Sequence, residues 1–204
     1  MKTLCIAAAT ALALTSPVMA QSAGDWTVGL GFGSVQPKSD NGTLSANGLK
    51  VDVGDNIRPT ITVEYFIRDN LGVELLAATP FKHDVKLAGL GKVGTVKHLP
   101  PVLSLQYHFD AGNGFAPFVG VGVNFTGFFS EKTTGALAGS RLELDDSWGL
   151  AAHIGADYWI NERSAIRADL RWIDIDSDVK LNGQKIGEVN IDPLVVGASY
   201  VMKF

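Results

Sequence analysis

The sequence contains one cysteine, Cys5, among its 204 residues. No run of about 18 apolar residues follows Ala20, which excludes a membrane-spanning helix from that part of the chain. Acidic residues outnumber basic ones, 21 to 17, and a net charge of −4 excludes the basic surface of a nucleic-acid-binding protein. A helical period of 3.6 is also missing from the sequence. We therefore expect a protein built without helices and without a nucleic-acid partner.

The first 20 residues have the order of a secretory signal peptide. Lys2 supplies a positive charge, an apolar segment follows from Leu4 to Leu14, and the small residue Ala20 ends the segment. An N-terminal core helix is the alternative interpretation. Cleavage after Ala20 removes Cys5, so the mature chain, 21–204, would start at Gln21 without a disulfide bond. An exported chain of this kind is either periplasmic or an outer-membrane barrel.

The last eleven residues, Leu194–Phe204, alternate between two faces. One face is continuously apolar, and its members near the end are Tyr200, Met202 and Phe204. A period of two indicates a β-strand, and about 9–11 residues are needed for a tilted strand to cross a bilayer. A terminal aromatic residue resembles the C-terminal signal of outer-membrane barrels. We therefore predict that these three residues face lipid and are recognised by the barrel assembly machinery.

The same alternation recurs along the chain. Strands are predicted from Trp26 and at about 57–67, 71–81, 99–109, 115–129, 147–160, 164–174 and 194–204. Long loops at about 36–56, 80–98, 130–146 and 175–190 alternate with short turns such as Arg68–Asn70. This arrangement predicts an all-β protein, an eight-stranded antiparallel up-and-down transmembrane β-barrel. Both termini would lie at the short-turn end, which would make the four long loops extracellular.

A soluble barrel or sandwich of the lipocalin kind also alternates. The two architectures differ in which side of the wall is apolar, because a soluble barrel has an apolar core and a polar exterior. Here the large apolar residues form one unbroken face in each strand. The opposite faces carry Glu64, Glu74, His108, His153, Asp157, Arg167, Asp169, Arg171 and Lys203. A polar lumen accommodates such residues, so we predict a barrel in the outer membrane of a Gram-negative bacterium.

Eight strands leave an interior just wide enough for side chains or one small ligand. Some of the inward residues are candidates for a lining or constriction of a narrow channel: Leu76, Phe118, Phe66 and Arg171. Others are candidates for a charge network in the lumen: Glu64, Glu74, Arg167 and Asp169. Adjacent strands could pair the charges, and a structural salt-bridge plug is then the alternative to a functional network. Leu76 could equally be ordinary filling of the lumen.

The long loops contain apolar residues that suggest an outer mouth. They are Pro80, Phe81, Leu87, Leu90, Val93, Leu137, Leu142 and Leu144. They could form an apolar funnel, or they could only pack the loops against one another. Both interpretations remain open at this point.

Two functions other than a narrow channel are possible for such a barrel, an enzyme and an adhesive protein. Ser104 and His108, like His153 and Asp157, share a face but lie four residues apart, about 13 Å at ~3.3 Å per residue. Neither pair can hydrogen-bond directly, and only cross-strand combinations remain for a hydrolase. We predict that the chain is not an enzyme. Nothing in the loops identifies an adhesive partner.

Two histidines flank the second long loop. His83 and His98 are weak support for a metal site, because no thiolate or defined ligand spacing accompanies them. We predict no metal and no cofactor.

Several segments, in one order from about Trp26 to Phe204, resemble the outer membrane protein W (OmpW) family. They are Asn70–His83 (NLGVELLAATPFKH), Leu99–Pro101, Pro117–Thr126 (PFVGVGVNFT), Asp146–Gly149 and Gly155–Tyr158. The resemblance implies an outer-membrane barrel that gives small hydrophobic molecules passive passage through a narrow, partly apolar lumen, with an opening through the wall towards the lipid. The implied partners are outer-membrane lipid and lipopolysaccharide, a small hydrophobic solute and the barrel assembly machinery. Arg171 departs from a wholly apolar constriction.

Overall fold

The computed structural model describes residues 21–44 and 48–204, so the predicted signal peptide lies outside the described residues. In these ranges the chain forms fourteen strands and one short 3-10 helix, Gly135–Leu137. None of the described segments is a helix with the length and apolar character required to cross a membrane. The strands are β1 Trp26–Gln36, β2 Val51–Val53, β3 Asn56–Arg68, β4 Leu71–Ala78, β5 Phe81–Leu87, β6 Gly91–Leu99, β7 Val102–His108, β8 Phe115–Thr133, β9 Leu142–Leu144, β10 Ser147–Asn161, β11 Ser164–Ile173, β12 Asp176–Leu181, β13 Gln184–Asn190 and β14 Leu194–Lys203.

Eight of these strands close into an antiparallel ring in the order β1, β3, β4, β7, β8, β10, β11 and β14. The last strand pairs with the first, from Thr27 opposite Lys203 to Gln36 opposite Leu194. Each strand of the ring neighbours the strands before and after it in the chain, so the barrel is up-and-down. The predicted eight-stranded barrel is confirmed.

Alternation decides which side chains face outward. Along β1, Trp26, Leu30 and Phe32 are exposed, whereas Thr27 and Gly29 lie on the inward face. Outward aromatic pairs mark both edges of the apolar band, and Trp26–Tyr65 lies at one edge with its ring centroids 4.8 Å apart. Phe125–Trp148 lies at the other edge, at 4.9 Å. Such girdles are typical of barrels that sit in lipid.

The two ends of the barrel differ. At one end, called the turn end, short connections join β3 to β4, β7 to β8 and β10 to β11; β1 begins there and β14 ends there. At the other end, called the loop end, the four remaining connections are long. The β3–β4 turn needs a left-handed residue, which is Asn70 with φ 63°. Asparagine tolerates this conformation better than most residues, because its short side chain hydrogen-bonds locally.

The long connections are more regular than loops. The β5–β6 hairpin extends the wall beyond the lipid-facing band, with β2 pairing to β5 and β6 pairing to the outer part of β8. A separate three-stranded sheet contains β9, β12 and β13. These strands form because their apolar residues alternate and pack together inside the loop end; Val51, Leu87, Val96 and Val179 belong to one buried cluster. The segments predicted as loops therefore differ from the structure in containing six strands.

Candidate functional site

Arg167 of β11 lies in the middle of the lumen and is 2% exposed. Its Nε and Nη2 donate to the carboxylate of Asp157 at 2.7 and 2.9 Å. Its Nη1 donates to Glu74 at 2.7 Å, and Nη2 reaches Glu64 at 3.4 Å. Asp157 is on the neighbouring strand β10, whereas Glu74 and Glu64 lie on β4 and β3. One guanidinium group thus joins distant walls of the barrel.

Glu64 and Glu74 face each other in the register of β3 and β4. Two like charges in directly opposed positions repel each other. Arg171 supplies a second cation, because its Nη2 donates to Glu74 Oε1 at 2.7 Å. The structure therefore places Arg171 among the charges, as the second guanidinium bound to Glu74.

A chain of amide and imidazole groups continues the network. Gln106 donates its amide Nε2 to Glu64 at 3.1 Å and accepts a hydrogen bond from His153 through Oε1 at 2.7 Å. His108 Nε2 lies 3.0 Å from Glu64 Oε1. The network is here called the lumen plug, and each of its members is at most 3% exposed. The lumen plug consists of Glu64, Glu74, Gln106, His108, His153, Asp157, Arg167 and Arg171.

Inward glycines leave the room that the lumen plug fills. A Cβ atom on Gly72 would lie 2.2 Å from Glu64 Oε1, and one on Gly120 would lie 2.2 Å from His153 Nε2. Real Cβ atoms do not approach other atoms so closely. These glycines are therefore needed for side-chain volume, which is one reason for glycine inside a strand.

Two predicted constriction residues pack into the same layer. Phe66 is fully buried and Phe118 is 2% exposed, and their ring centroids lie 5.3 and 5.2 Å from that of His108. The Arg167 guanidinium carbon lies 4.6 Å from the centroid of Phe118. The two rings therefore fill the space around the ion pairs and leave no apolar passage there.

Asp169 differs from the other predicted members of the network. It is half-buried, and in residues 21–44 and 48–204 it forms neither an ion pair nor a hydrogen bond. A Cβ atom on Gly197 would lie 2.4 Å from its Oδ1. Asp169 thus packs over Gly197, beside the lumen plug.

An apolar layer covers the lumen plug on the side of the loop end. Leu76 and Ala78 of β4 pack against this layer, and so does Phe128 of β8. Its buried members are Val35, Phe81, Val102, Ala151, Ile173, Ile175, Ile191 and Val195. The lumen therefore changes from charged to apolar over the height of one layer of side chains.

Above the apolar layer the loop end holds a small cavity of about 40 Å³. Most of its walls come from the long connections, and among the described residues that line it two histidines are ionisable. The lining, here called the loop-end pocket, is Leu44, Val51, Val53, His83, Val85, Leu87, Val93, Val96, His98, Phe128, Leu137, Leu142, Leu144, Val179, Ile186, Val189 and Ile191. Five of the eight apolar loop residues singled out in the sequence lie here, whereas Leu90 is 47% exposed.

His83 and His98 meet at one side of the loop-end pocket, with their Nε2 atoms 2.9 Å apart. His83 Nδ1 contacts the carbonyl oxygen of Gly54, so this nitrogen carries the proton and His83 Nε2 accepts from His98. Burial, together with the neighbouring His83, lowers the pKa of His98 to about 3. Burial also lowers the pKa of His83. Both rings are therefore neutral near pH 7, as an apolar wall requires.

The hydrogen-bond ladder of the wall is interrupted beside the apolar layer. Pairing of β4 with β7 ends at Leu76 opposite Val102, and pairing of β5 with β6 begins at Phe81 opposite His98. The segment between β6 and β7 is Pro100–Pro101, and proline has no N–H to donate. We call this interruption, between 79–80 and 100–101, the wall gap.

The family model described as OmpW family matches residues 22–204. The chain belongs to the OmpW family. Outer membrane protein W of Escherichia coli (strain K12) is 40% identical over 204 residues and 96% of each chain. Outer membrane protein W of Vibrio cholerae (serotype O1) is 37% identical over 206 residues and 95% of each chain. The crystal structure of outer membrane protein OprG from Pseudomonas aeruginosa matches with a TM-score of 0.82 and 35% identity, over 91% of this chain and 98% of that chain.

This OmpW family member is therefore an outer-membrane β-barrel, and the predicted family and location are confirmed. The three residues predicted to assist assembly lie on β14 and at its end. Tyr200 and Phe204 are outward and exposed, and Met202 is half-buried. Tyr200 also donates its hydroxyl to Ser164 Oγ at 2.7 Å.

One further cluster in this OmpW barrel was not anticipated from the sequence. Within the described residues, one group of three acidic side chains has carboxylate oxygens within 4.8 Å of one another: Asp174, Asp176 and Asp192. Lys38 already pairs with Asp192 at 2.6 Å. Asn190 donates to Asp176. These contacts account for two of the three carboxylates.

The sequence also failed to identify Gln106 as a member of the site. Its inward position follows from alternation, but glutamine carries no charge to mark it. Its partners Glu64 and His153 lie on β3 and β10, and neither of these strands is a neighbour of β7 in the barrel. Only the inward position of an amide in a predicted lipid-crossing strand could have pointed to it.

Proposed function

We propose that this OmpW family barrel gives small apolar molecules passive passage across the outer leaflet, from the loop-end pocket sideways into the lipid. The observation that carries the proposal is the apolar loop-end pocket, which lies above the apolar layer and the buried lumen plug. An apolar molecule gains free energy by leaving water for such walls, about 25 cal/mol per Å² of its surface. The family resemblance implies the same class of solute.

The lumen plug argues against a route straight through the barrel. Its carboxylates and guanidinium groups are buried and bound to one another. Separating one partner from a buried pair costs roughly 3–5 kcal/mol. An apolar solute offers nothing in return, so we infer that it stops at the apolar layer.

The wall gap supports a lateral exit. Pro101 O accepts from Phe125 N on β8 at 3.2 Å, so the polar edge of Pro101 faces β8. Successive residues of an extended segment present their backbone groups to opposite sides, so we infer that the edge of Pro100 faces β4 and β5, where proline has no N–H to donate. Leu76, Phe81 and Val102 of the apolar layer lie next to this interruption. An apolar path therefore runs from the pocket to the wall.

The proposal includes an orientation of the barrel in the membrane and removal of the signal peptide. We infer that residues 1–20 are removed, that the loop end faces the outside and that the turn end faces the periplasm. Lipid, lipopolysaccharide and the barrel assembly machinery are the proposed partners. We also infer a function without catalysis, since Ser104 Oγ has Arg171 as its hydrogen-bond partner at 3.5 Å.

The pocket is tested by the uptake of an apolar fluorescent probe, N-phenylnaphthylamine, into cells with and without the barrel. We expect Leu76→Arg to reduce the rate to that of barrel-free cells, because an unpaired guanidinium in the apolar layer is costly. Leu90→Arg makes the same change at an exposed position and should keep wild-type uptake. Heat-modifiable migration on gels verifies folding. Wild-type uptake at the barrel-free rate would refute the proposal.

The exit is tested with Pro100→Ala, which restores an N–H towards β4. We expect several-fold slower transfer of the probe into lipid, while binding of the probe to the purified barrel in detergent is unchanged. Pro101→Ala is the matched control, since its restored N–H points towards β8. Equal transfer rates for wild type and Pro100→Ala would exclude an exit at the wall gap.

A further inference from the structure

A row of outward residues crosses three strands just beyond the lipid-facing band. Lys82 of β5 lies opposite Lys97 of β6, and Lys97 lies opposite Phe129 of β8. Lys82 is exposed, Lys97 is half-buried and Phe129 is 37% exposed. Two ammonium groups and one aromatic ring therefore form a continuous patch on the outer wall.

The two lysines lack the partners that neighbouring lysines have. The other opposed pair of lysines in the hairpin, Lys86 and Lys92, forms ion pairs with Asp52 at 3.8 Å and with Asp84 at 2.8 Å. Within residues 21–44 and 48–204, neither Lys82 nor Lys97 has a carboxylate within ion-pair distance. Like charges in directly opposed positions of a sheet are destabilising. An anion shared between the two lysines would remove this repulsion.

Further charges around the patch are few. Asp84, two residues from Lys82, interacts with it electrostatically, but its carboxylate is hydrogen-bonded to Lys92. Lys132 lies opposite Thr95, on the far side of Lys97 from Lys82, and is exposed; beside it on β8, the half-buried Glu131 offsets one positive charge. The patch therefore keeps a net positive charge.

The height of the patch indicates what it meets. Phe129 lies four residues beyond Phe125, which forms the girdle with Trp148. At ~3.3 Å per residue and a tilt of 35–45°, the row lies about 10 Å beyond that girdle. Lipid headgroups occupy this level, with the acyl chains below.

We propose that Lys82 and Lys97 bind a phosphate group of the glycolipid of the outer leaflet, the lipid A part of lipopolysaccharide. The phosphate lies between the two ammonium groups, and Phe129 contacts the acyl chains below it. A phosphate monoester carries up to two negative charges and so suits two opposed cations. The site rests on the orientation proposed above, with the loop end outward, and is independent of solute passage.

The proposal is tested with purified barrel in detergent, titrated with lipid A and followed by native mass spectrometry. Replacing two interfacial lysines should weaken binding about tenfold to thirtyfold. We expect this loss in the double variant Lys82→Gln/Lys97→Gln and retention in Lys82→Arg/Lys97→Arg. The matched control is Lys86→Gln/Lys92→Gln, which removes a second pair of the same hairpin and should bind like wild type.

Binding of three further ligands shows whether the site recognises lipid A, free phosphate or another phospholipid. Dephosphorylated lipid A should lose the binding, whereas inorganic phosphate and phosphatidylglycerol should bind at least tenfold more weakly than lipid A. Equal binding of lipid A by wild type and by Lys82→Gln/Lys97→Gln overturns the proposal. So does equal binding of dephosphorylated lipid A or of phosphatidylglycerol. Probe uptake by the glutamine variant, measured in parallel, shows that the barrel is folded and that solute passage is a separate property.

Discussion

At the scale of single residues, this barrel buries charge where a soluble protein of its size would bury hydrocarbon. Each arginine of the lumen plug touches at least one carboxylate, and Glu74 receives donors from both Arg167 and Arg171. Buried charges are stable only when such partners are complete. Within the described residues Arg171 Nε is buried without a hydrogen-bond partner, so the lumen plug is held by its ion pairs as a partition between the turn end and the apolar layer.

The sequence predicts which residues face this partition but not which of them meet. Alternation along β11 places Arg167 and Arg171 inward. Their shared partner, Glu74, lies on the opposite side of the ring, and that distance depends on barrel width and strand stagger. A single sequence contains neither quantity, so the ion pairs across the lumen could not be predicted from it.

His98 provides a test at this scale. Its ring takes up a proton near pH 6.5 in the unfolded chain but only near pH 3 in the folded barrel. Between these values the unfolded state binds more protons, so stability falls as the pH decreases, by up to about 1.4 kcal/mol per pH unit. We expect wild type to lose about 2–3 kcal/mol more than His98→Phe between pH 7 and pH 4.5.

The measurement is urea unfolding of the barrel in detergent at the two pH values. Comparison with His98→Phe removes the contribution of the carboxylates, which both proteins share. Parallel pH dependences of the two proteins would show that folding does not lower the pKa of His98.

At the scale of elements, the barrel strands were predictable and the connections were not. Each barrel strand has a lipid face and a lumen face, so large apolar residues alternate with glycine or polar residues over many positions. In β5 the same alternation is short, and its outward face carries Lys82, Asp84 and Lys86. A segment of seven residues with that much charge is typical of a loop. Its strand character depends on pairing with β2 and β6, which tertiary packing supplies.

The final strand offers a test at this scale. Phe204 is 72% exposed, and its backbone exchanges hydrogen bonds with Trp26 at the end of β1. We expect Phe204→Ala to lower the amount of folded barrel in outer membranes several-fold, because the terminal aromatic is the proposed assembly signal. Stability of the protein that does fold should change little, since the side chain packs against lipid.

Heat-modifiable gel migration of membrane fractions gives the folded amount. Leu194→Ala is the control, since it truncates an exposed apolar residue at the other end of the same strand. An equal loss in both variants would argue for general weakening of β14.

At the scale of the whole molecule, three levels follow one another along the barrel axis: a polar partition, an apolar layer and a pocket. The apolar loop residues serve both interpretations that the sequence left open, since they pack the loop end and line its pocket. The fold class and the family were predictable because they depend on repeated alternation and on segments close together in the chain.

Orientation is tested by labelling with a membrane-impermeant maleimide on intact cells. The background is clean, because the one cysteine, Cys5, lies in the segment proposed to be removed. Asn182→Cys, in the β12–β13 turn at the loop end, should be labelled rapidly. Asn161→Cys, at the turn end, should be labelled only after the outer membrane is opened. The reverse result would place the long connections in the periplasm.

The pairing of β14 with β1 has a consequence for biogenesis. β1 pairs with β14, from Thr27 opposite Lys203 onward, so one edge of the first strand stays uncovered until the last strand has been added. Export delivers the chain from its N-terminus, and until Phe204 has crossed the inner membrane β1 lacks one of its two neighbours. An exposed strand edge invites pairing with other chains. Any delay in delivering the last strand therefore lengthens the interval in which the exposed edge of β1 can aggregate.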